Sequence, residues 1–188
     1  QDLIIINNEA DVGNPENNGG GGLHLHSASA IIDNVFFEDN YTNGVGGAIW
    51  AFDDSVLEIN NSNISNNAAS LNGGAISVDS FCDLAIDSTL MINNTADNQG
   101  GAINSDRSIV NINNSTLELN SSNGGGGAIH YYNYSSGAII GSVIKNNYTG
   151  YEGIIYLSSS SEIDITKSLV VENYANAHGI FFSYAGKA

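Results

Sequence analysis

The sequence is poor in nearly everything that ordinarily staples, kinks or charges a chain. In 188 residues there is one cysteine (Cys82), one proline (Pro15), one tryptophan and one methionine. A lone cysteine excludes an internal disulfide framework and any cysteine-rich metal centre. Lys and Arg number 4 against 20 Asp and Glu, a formal charge of -16. No basic run offsets it, and such a surface repels phosphate backbones, so nucleic acid is not an expected partner. Cations and neutral sugars suit it better. No apolar run approaches the ~20 residues of a membrane-spanning helix, and no basic-then-apolar leader is seen, so membrane insertion is not expected. The first residue is Gln1 rather than Met, which suits a processed secreted chain or a segment of a longer one.

What the sequence has in abundance is glycine, asparagine, serine and repetition. The letters GGAI stand at Gly46 to Ile49, Gly73 to Ile76, Gly100 to Ile103 and Gly126 to Ile129. With the second glycine as anchor, the series runs Gly47, Gly74, Gly101, Gly127. It continues through EGII at Gly153 and HGIF at Gly179, and backward to GGLH at Gly22. The spacings are 25, 27, 27, 26, 26 and 26, the signature of stacked units. A second motif, an apolar residue followed three positions later by Asn, keeps step with the first. It marks Asn40, Asn67, Asn94, Asn120, Asn146 and Asn173 as a structural ladder.

Within each unit the apolar period is two, as in a strand. Leu57 and Ile59, Leu84 and Ile86, Val110 and Ile112, and Ile163 and Ile165 each share a face. The expected fold is all-β: a single-stranded parallel β-helix of about seven coils, 25–27 residues per coil, with three short strands per coil. One domain spans 1–188, interrupted by a Gly- and Asn-rich loop near 11–21 that holds Pro15. In such a stack each position becomes a column, so a bend keeps its shape only if every coil fills that column alike. Glycine gives close approach, Ile49, Ile76, Ile103 and Ile129 fill the core, and Asn amides both donate and accept along the axis.

The pairing of GGAI with FxxN-type motifs such as Phe37 to Asn40 resembles the repeats of the polymorphic outer-membrane protein family. The resemblance runs from about Ile5 to Phe181. It implies an extracellular β-helix of the kind found in autotransporter passengers and adhesins.

Parallel β-helices also house polysaccharide lyases and hydrolases, whose chemistry needs converging carboxylates and a base. Asp53, Asp79 and Asp106 follow their anchors by five or six residues. Stacked carboxylates favour a bound cation, calcium above all, or a raised pKa; the competing reading is solvated turn residues. Arg107, Lys145, Lys167 and Lys187 are the only basic side chains and are scattered, so an enzyme is not expected. His24 and His26 lack further metal ligands nearby, and His24 is placed in the isoleucine column of the first coil. Cys82 shares a column with Ser55, Ser108, Ser135 and Ser161 and reads as packing. The glycine runs before His130 and His24 lack the Lys-Ser/Thr of a phosphate loop.

Nine N-x-S/T sequons are present. In a glycosylating secretory route, N-linked glycans would fall on Asn60, Asn63, Asn93, Asn113, Asn114, Asn133 or Asn147, whereas Asn40 and Asn120 belong to the ladder. Eight of the nine tyrosines follow His130. Tyr131, Tyr132 and Tyr134, with Phe181 and Phe182, are candidate contact surface. No amphipathic capping helix is legible, so open ends are expected to stack head to tail on another copy. The expected function is thus an extracellular or cell-surface, secreted structural protein that forms a fibre. The alternatives are an adhesin that binds a glycan or receptor, and a carbohydrate-active enzyme.

Overall fold

The computed structural model describes residues 3–10 and 19–184. Most of the insertion expected near 11–21 lies outside the described residues; from its end, Gly19 bridges Val45 in parallel.

Each strand pairs in parallel with its counterparts one coil earlier and one coil later, so Ile49, Ile76, Ile103 and Ile129 are successive register partners. No described residue is helical. The first sheet holds the strands that follow the GG pairs: Leu23–His26, Ile49–Phe52, Ile76–Asp79, Ile103–Asp106, Ile129–Tyr132, Ile155–Ser158 and Phe181–Tyr184. Coils are numbered from these strands, coil 1 opening at Leu23 and coil 6 at Ile155. The second sheet runs from Ser29–Asp33 to Glu162–Thr166, and the third from Leu3–Ile6 to Leu169–Val171. Six complete coils are described, with part of a further coil at each end.

A fourth sheet was not expected. Its strands, such as Tyr41–Thr42 and Ala68–Ala69, are two residues long, and two residues cannot display a period of two. They exist because the asparagine just before each is locked to its neighbours along the axis, which carries the next two residues into register.

The interior is a continuous apolar column. Leu57, Leu84 and Val110 from the second sheet and Phe37, Ile64, Met91, Leu117 and Ile144 from the third meet the isoleucines of the first, all essentially without exposure. Each such side chain contributes about 1.5–3 kcal/mol. Tyr131, expected at the surface, is fully buried. Along Ile129–Tyr132 the alternation sends residues 129 and 131 inward and 130 and 132 outward. Gly137 on the adjoining sheet leaves the space, and the Tyr131 hydroxyl donates to the Val110 carbonyl at 3.2 Å.

The asparagine ladder runs through Asn8, Asn40, Asn67, Asn94, Asn120, Asn147 and Asn173. Each Oδ1 accepts from the backbone and side-chain amides of the previous member; Asn94 Oδ1, for example, accepts from Asn67 N and Nδ2, both at 3.0 Å. Asn94 Nδ2 donates to Asn120 Oδ1 and to the Ile64 carbonyl. The expected member Asn146 is displaced by Asn147, because the inward apolar residue of that coil is Ile144, the partner of Leu117, and not Val143. Asn146 turns outward with φ 55 and reaches Glu118.

Hydroxyls line two further bends. Ser55, Cys82, Ser108 and Ser135 form one column, in which each side chain caps a carbonyl of its own bend and Cys82 N donates to Ser108 Oγ. Ser62, Thr89, Ser115, Ser142 and Ser168 form the other. This arrangement accounts for several of the sequons, since an asparagine two residues before a column hydroxyl writes N-x-S/T. Asn60, Asn113 and Asn133 each precede a column hydroxyl by two. Asn147 is a buried ladder member, and its amide is spent on Asn173, Leu117 and Lys145. Of the remaining candidates, Asn93 and Asn114 are exposed, while Asn60, Asn63, Asn113 and Asn133 are partly buried.

Candidate functional site

The residue after each GGAI isoleucine points to the outer side of the first sheet, where solvent is expected. It is nevertheless buried in the middle coils. Down this column stand His24, Trp50, Ser77, Asn104, His130, Tyr156 and Phe182. Trp50, Ser77, Asn104, His130 and Tyr156 are all buried. The glycine bends fold over them: a Cβ at Gly19 would meet the Trp50 indole, and one at Gly125 the Tyr156 ring.

The column is internally bonded. His24 stacks on Trp50 at a centroid distance of 4.4 Å. The Trp50 indole N–H donates to Asp79 Oδ2 at 2.8 Å, and Ser77 Oγ donates to the same oxygen at 3.1 Å. Asn104 Nδ2 donates to Ser77 Oγ, which turns its own Oδ1 toward His130 Nδ1 at 3.0 Å. That network assigns the proton to Nδ1 and leaves His130 Nε2 to accept from Ser158 Oγ at 3.2 Å. Burial pushes the imidazole down to about 3, so His130 is neutral across the physiological range and serves as a fixed link, not a proton carrier. His130 stacks on Tyr156, and Tyr156 leans on Phe182. Burial, reinforced by the Glu152 carboxylate, raises the Tyr156 hydroxyl to about 12.

Next to this column on the same face stand His26, Phe52, Asp79, Asp106, Tyr132, Ser158 and Tyr184. Asp79 and Asp106 are register partners on adjacent coils. Desolvation raises the Asp79 carboxyl to about 6; the Trp50 and Ser77 hydrogen bonds pull it back, and Asp106 raises it further. Asp106 Oδ2 lies 3.3 Å from the Arg107 guanidinium, while its Oδ1 is buried without a hydrogen-bond partner. Asp53 does not join this pair. It sits one position beyond Phe52, the partner of Asp79, and bonds to Ser27 and His26 instead. Among the described residues no group of three or more His, Cys, Asp and Glu is placed to hold a metal ion.

His24 also falls elsewhere than expected. The register partner of Ile49 is Leu23, so Gly21 and not Gly22 is the first anchor, and His24 faces outward. A slip of one residue exchanges the two faces of a strand. Tyr132 is exposed beside a groove of about 400 Å³ that it shares with His130, Tyr156, Ser158 and Tyr184. Phe182 is half-buried against Tyr156 and His178, whereas Phe181 continues the isoleucine column at the last described coil and is exposed. Lys145 pairs with Glu118 at 3.2 Å on the third sheet, far along the coil from the carboxylate pair.

The outward column was missed in the sequence, although a signal for it existed. Within GGAIW, GGAIS, GGAIN and GGAIH the fifth letter alone changes from copy to copy.

Two stretches, residues 34–51 and 88–106, match the family model of the Chlamydia polymorphic membrane protein repeat. Each runs from the third sheet through a ladder asparagine and the GG bend into the first sheet of the next coil, so the match rests on the residues that close one coil onto another. The chain therefore resembles β-helical proteins built from repeats of this type. No curated protein and no solved structure matches it.

Proposed function

We propose that the chain serves at a cell surface as a rigid, non-enzymatic β-solenoid that stacks end on end with further coils of the same kind. The observation that carries this is the unbroken axial ladder. From Asn8 to Asn173 the side-chain amides make the bonds along the axis that stiffen a rod, and coils in such a stack are stabilised chiefly by their neighbours. The repeat match, to a family named for membrane proteins, supports a surface location. At the first and last described coils Leu3 and Phe181 are exposed, although their register partners Val35 and Ile155 are buried. Another coil placed there would take up both the apolar surface and the unpaired strand edges. In the fibre reading that coil comes from a second copy, head to tail. Electron microscopy of the protein from its native source tests this: filaments whose axial repeat matches one solenoid support it, and isolated rods of one solenoid's length at high concentration overturn it.

A second reading, adhesion, is favoured by the aromatic side chains displayed toward solvent. Phe81, Tyr132, Tyr134, Tyr148, Tyr151, Tyr174 and Tyr184 are all exposed, more than a rod requires. Binding of the protein to cell monolayers is the direct measurement. If exposed sequons carry glycans, Asn93 and Asn114 are the sites with room, and intact mass before and after glycosidase treatment reads them.

A further inference from the structure

The bend between the first and second sheets is not the same in every coil. In coils 2, 3, 5 and 6 two residues with positive φ make it, and the second of the pair is Asp54, Phe81, Tyr134 and Ser160 respectively. In coil 4 a single residue, Arg107, makes the same turn. Coil 4 therefore lacks the residue that is aromatic in the coils directly before and after it. The result is a notch one coil wide, about 490 Å³, walled by Phe81 and Tyr134 and floored by the exposed Ile109.

Stability does not explain the two walls. A bulky side chain at positive φ is disfavoured, whereas Asp and Ser tolerate it better. Phe81 and Tyr134 are also 70% and 76% exposed, so they recover little by packing. Their spacing has a chemical meaning instead. Two coil rises are about 9.5 Å, and a ring that meets an aromatic face does so at about 4.5 Å, so one ring fits between the walls and touches both.

We propose that this notch binds one neutral pyranose unit of a glycan, held between Phe81 and Tyr134. Its hydroxyls reach Arg107, Asp83 and Ser136 at the rim. Neutrality follows from charge: the chain carries -16 overall, and the one cation at the notch is already paired with Asp106. A thick chair fills the gap better than a flat ring does. The groove beside Tyr132 repeats the pattern independently, with Tyr132 and Tyr184 two coils apart and the small Ser158 between them. The proposal rests on the adhesive reading for its purpose, but the notch itself is tested separately.

The experiment is saturation-transfer NMR and calorimetry of the full chain against short neutral hexose oligosaccharides and their uronic acid counterparts. The comparison proteins are Phe81→Asp and Tyr134→Ser, which install the bend residues of coils 2 and 6 and should melt no lower than the parent. Saturable binding of a neutral oligosaccharide, weakened about tenfold by each change and lost in the double variant, is the expected result. No binding of neutral oligosaccharides, preference for the acidic ones, or full binding in the double variant overturns the proposal. Cell adhesion measured in parallel separates the two readings: adhesion that survives in the double variant leaves the adhesive reading standing without this notch, and adhesion absent from the parent removes the adhesive reading itself.

Discussion

Two columns stand side by side on the first sheet and obey different rules. The inward one reads Leu23, Ile49, Ile76, Ile103, Ile129, Ile155, Phe181; the outward one reads His24, Trp50, Ser77, Asn104, His130, Tyr156, Phe182. In coils 2 to 6 both are buried. Burial alone therefore does not make a column uniform. The inward side chains pack against two other sheets and against their own copies, so one shape repeated is the close-packed solution. The outward side chains meet the glycine bends, one another and the column beside them, and bonds such as Trp50 to Asp79 or His130 to Asn104 can be composed coil by coil. Freedom of composition at buried positions is where a solenoid can vary its chemistry without losing its rise.

Changes in the uniform columns should cost most. Asn94→Ala leaves the Asn67 amides, the Ile64 carbonyl and Asn120 Oδ1 short of partners in a buried setting, and a loss on the order of 4 kcal/mol is expected in denaturant unfolding. A loss under about 1 kcal/mol would show that the ladder is ornamental. Ile76→Ala should cost about 3 kcal/mol through cavity formation, while Ser77→Ala, its neighbour in the varied column, should cost about 1. Equal values would erase the distinction between the two columns.

The pH dependence lies beside the varied column, at the Asp79 carboxyl to which Trp50 and Ser77 donate. Because the folded chain raises the Asp79 carboxyl to about 6, its contribution is fully present below the unfolded value near 4 and is lost as pH rises through 6. Stability should thus fall by about 2 kcal/mol between those limits. Asp79→Asn should remove that slope while keeping an acceptor for the Trp50 indole, and melting curves across the interval read the difference. A slope that persists in Asp79→Asn would place the titrating group elsewhere. The smallest effect is expected at Cys82. Cys82→Ser restores the hydroxyl of its column and should change stability by less than about 1 kcal/mol, with a loss above about 2 counting against the column's equivalence.

The carboxylates show how far the chain could be read without its structure. Asp79 and Asp106 were expected to stack and do, because both lie five residues after their anchors. Asp53 lies six after its own, and one residue is enough to carry it into the bend beside Ser27. The same arithmetic moved His24 out of the core and put Asn147 where Asn146 was expected. In each case two neighbouring residues, Leu23 and His24 or Asn146 and Asn147, satisfy the local pattern equally well. Only pairing with the adjacent coil chooses between them.

By itself, then, the sequence determined the solenoid, its coil length, the identity of its apolar columns and the presence of an asparagine ladder. These follow from stacking like on like, which writes the same letters every 26 or 27 residues. Tertiary structure alone decided what breaks that repetition. It revealed the fourth sheet, the burial of Tyr131 opposite Gly137, the bonded column on the outer face, and the notch where coil 4 is one residue short at its bend. A local deviation has no period to betray it, and its consequence depends on which side chains the coils above and below bring alongside.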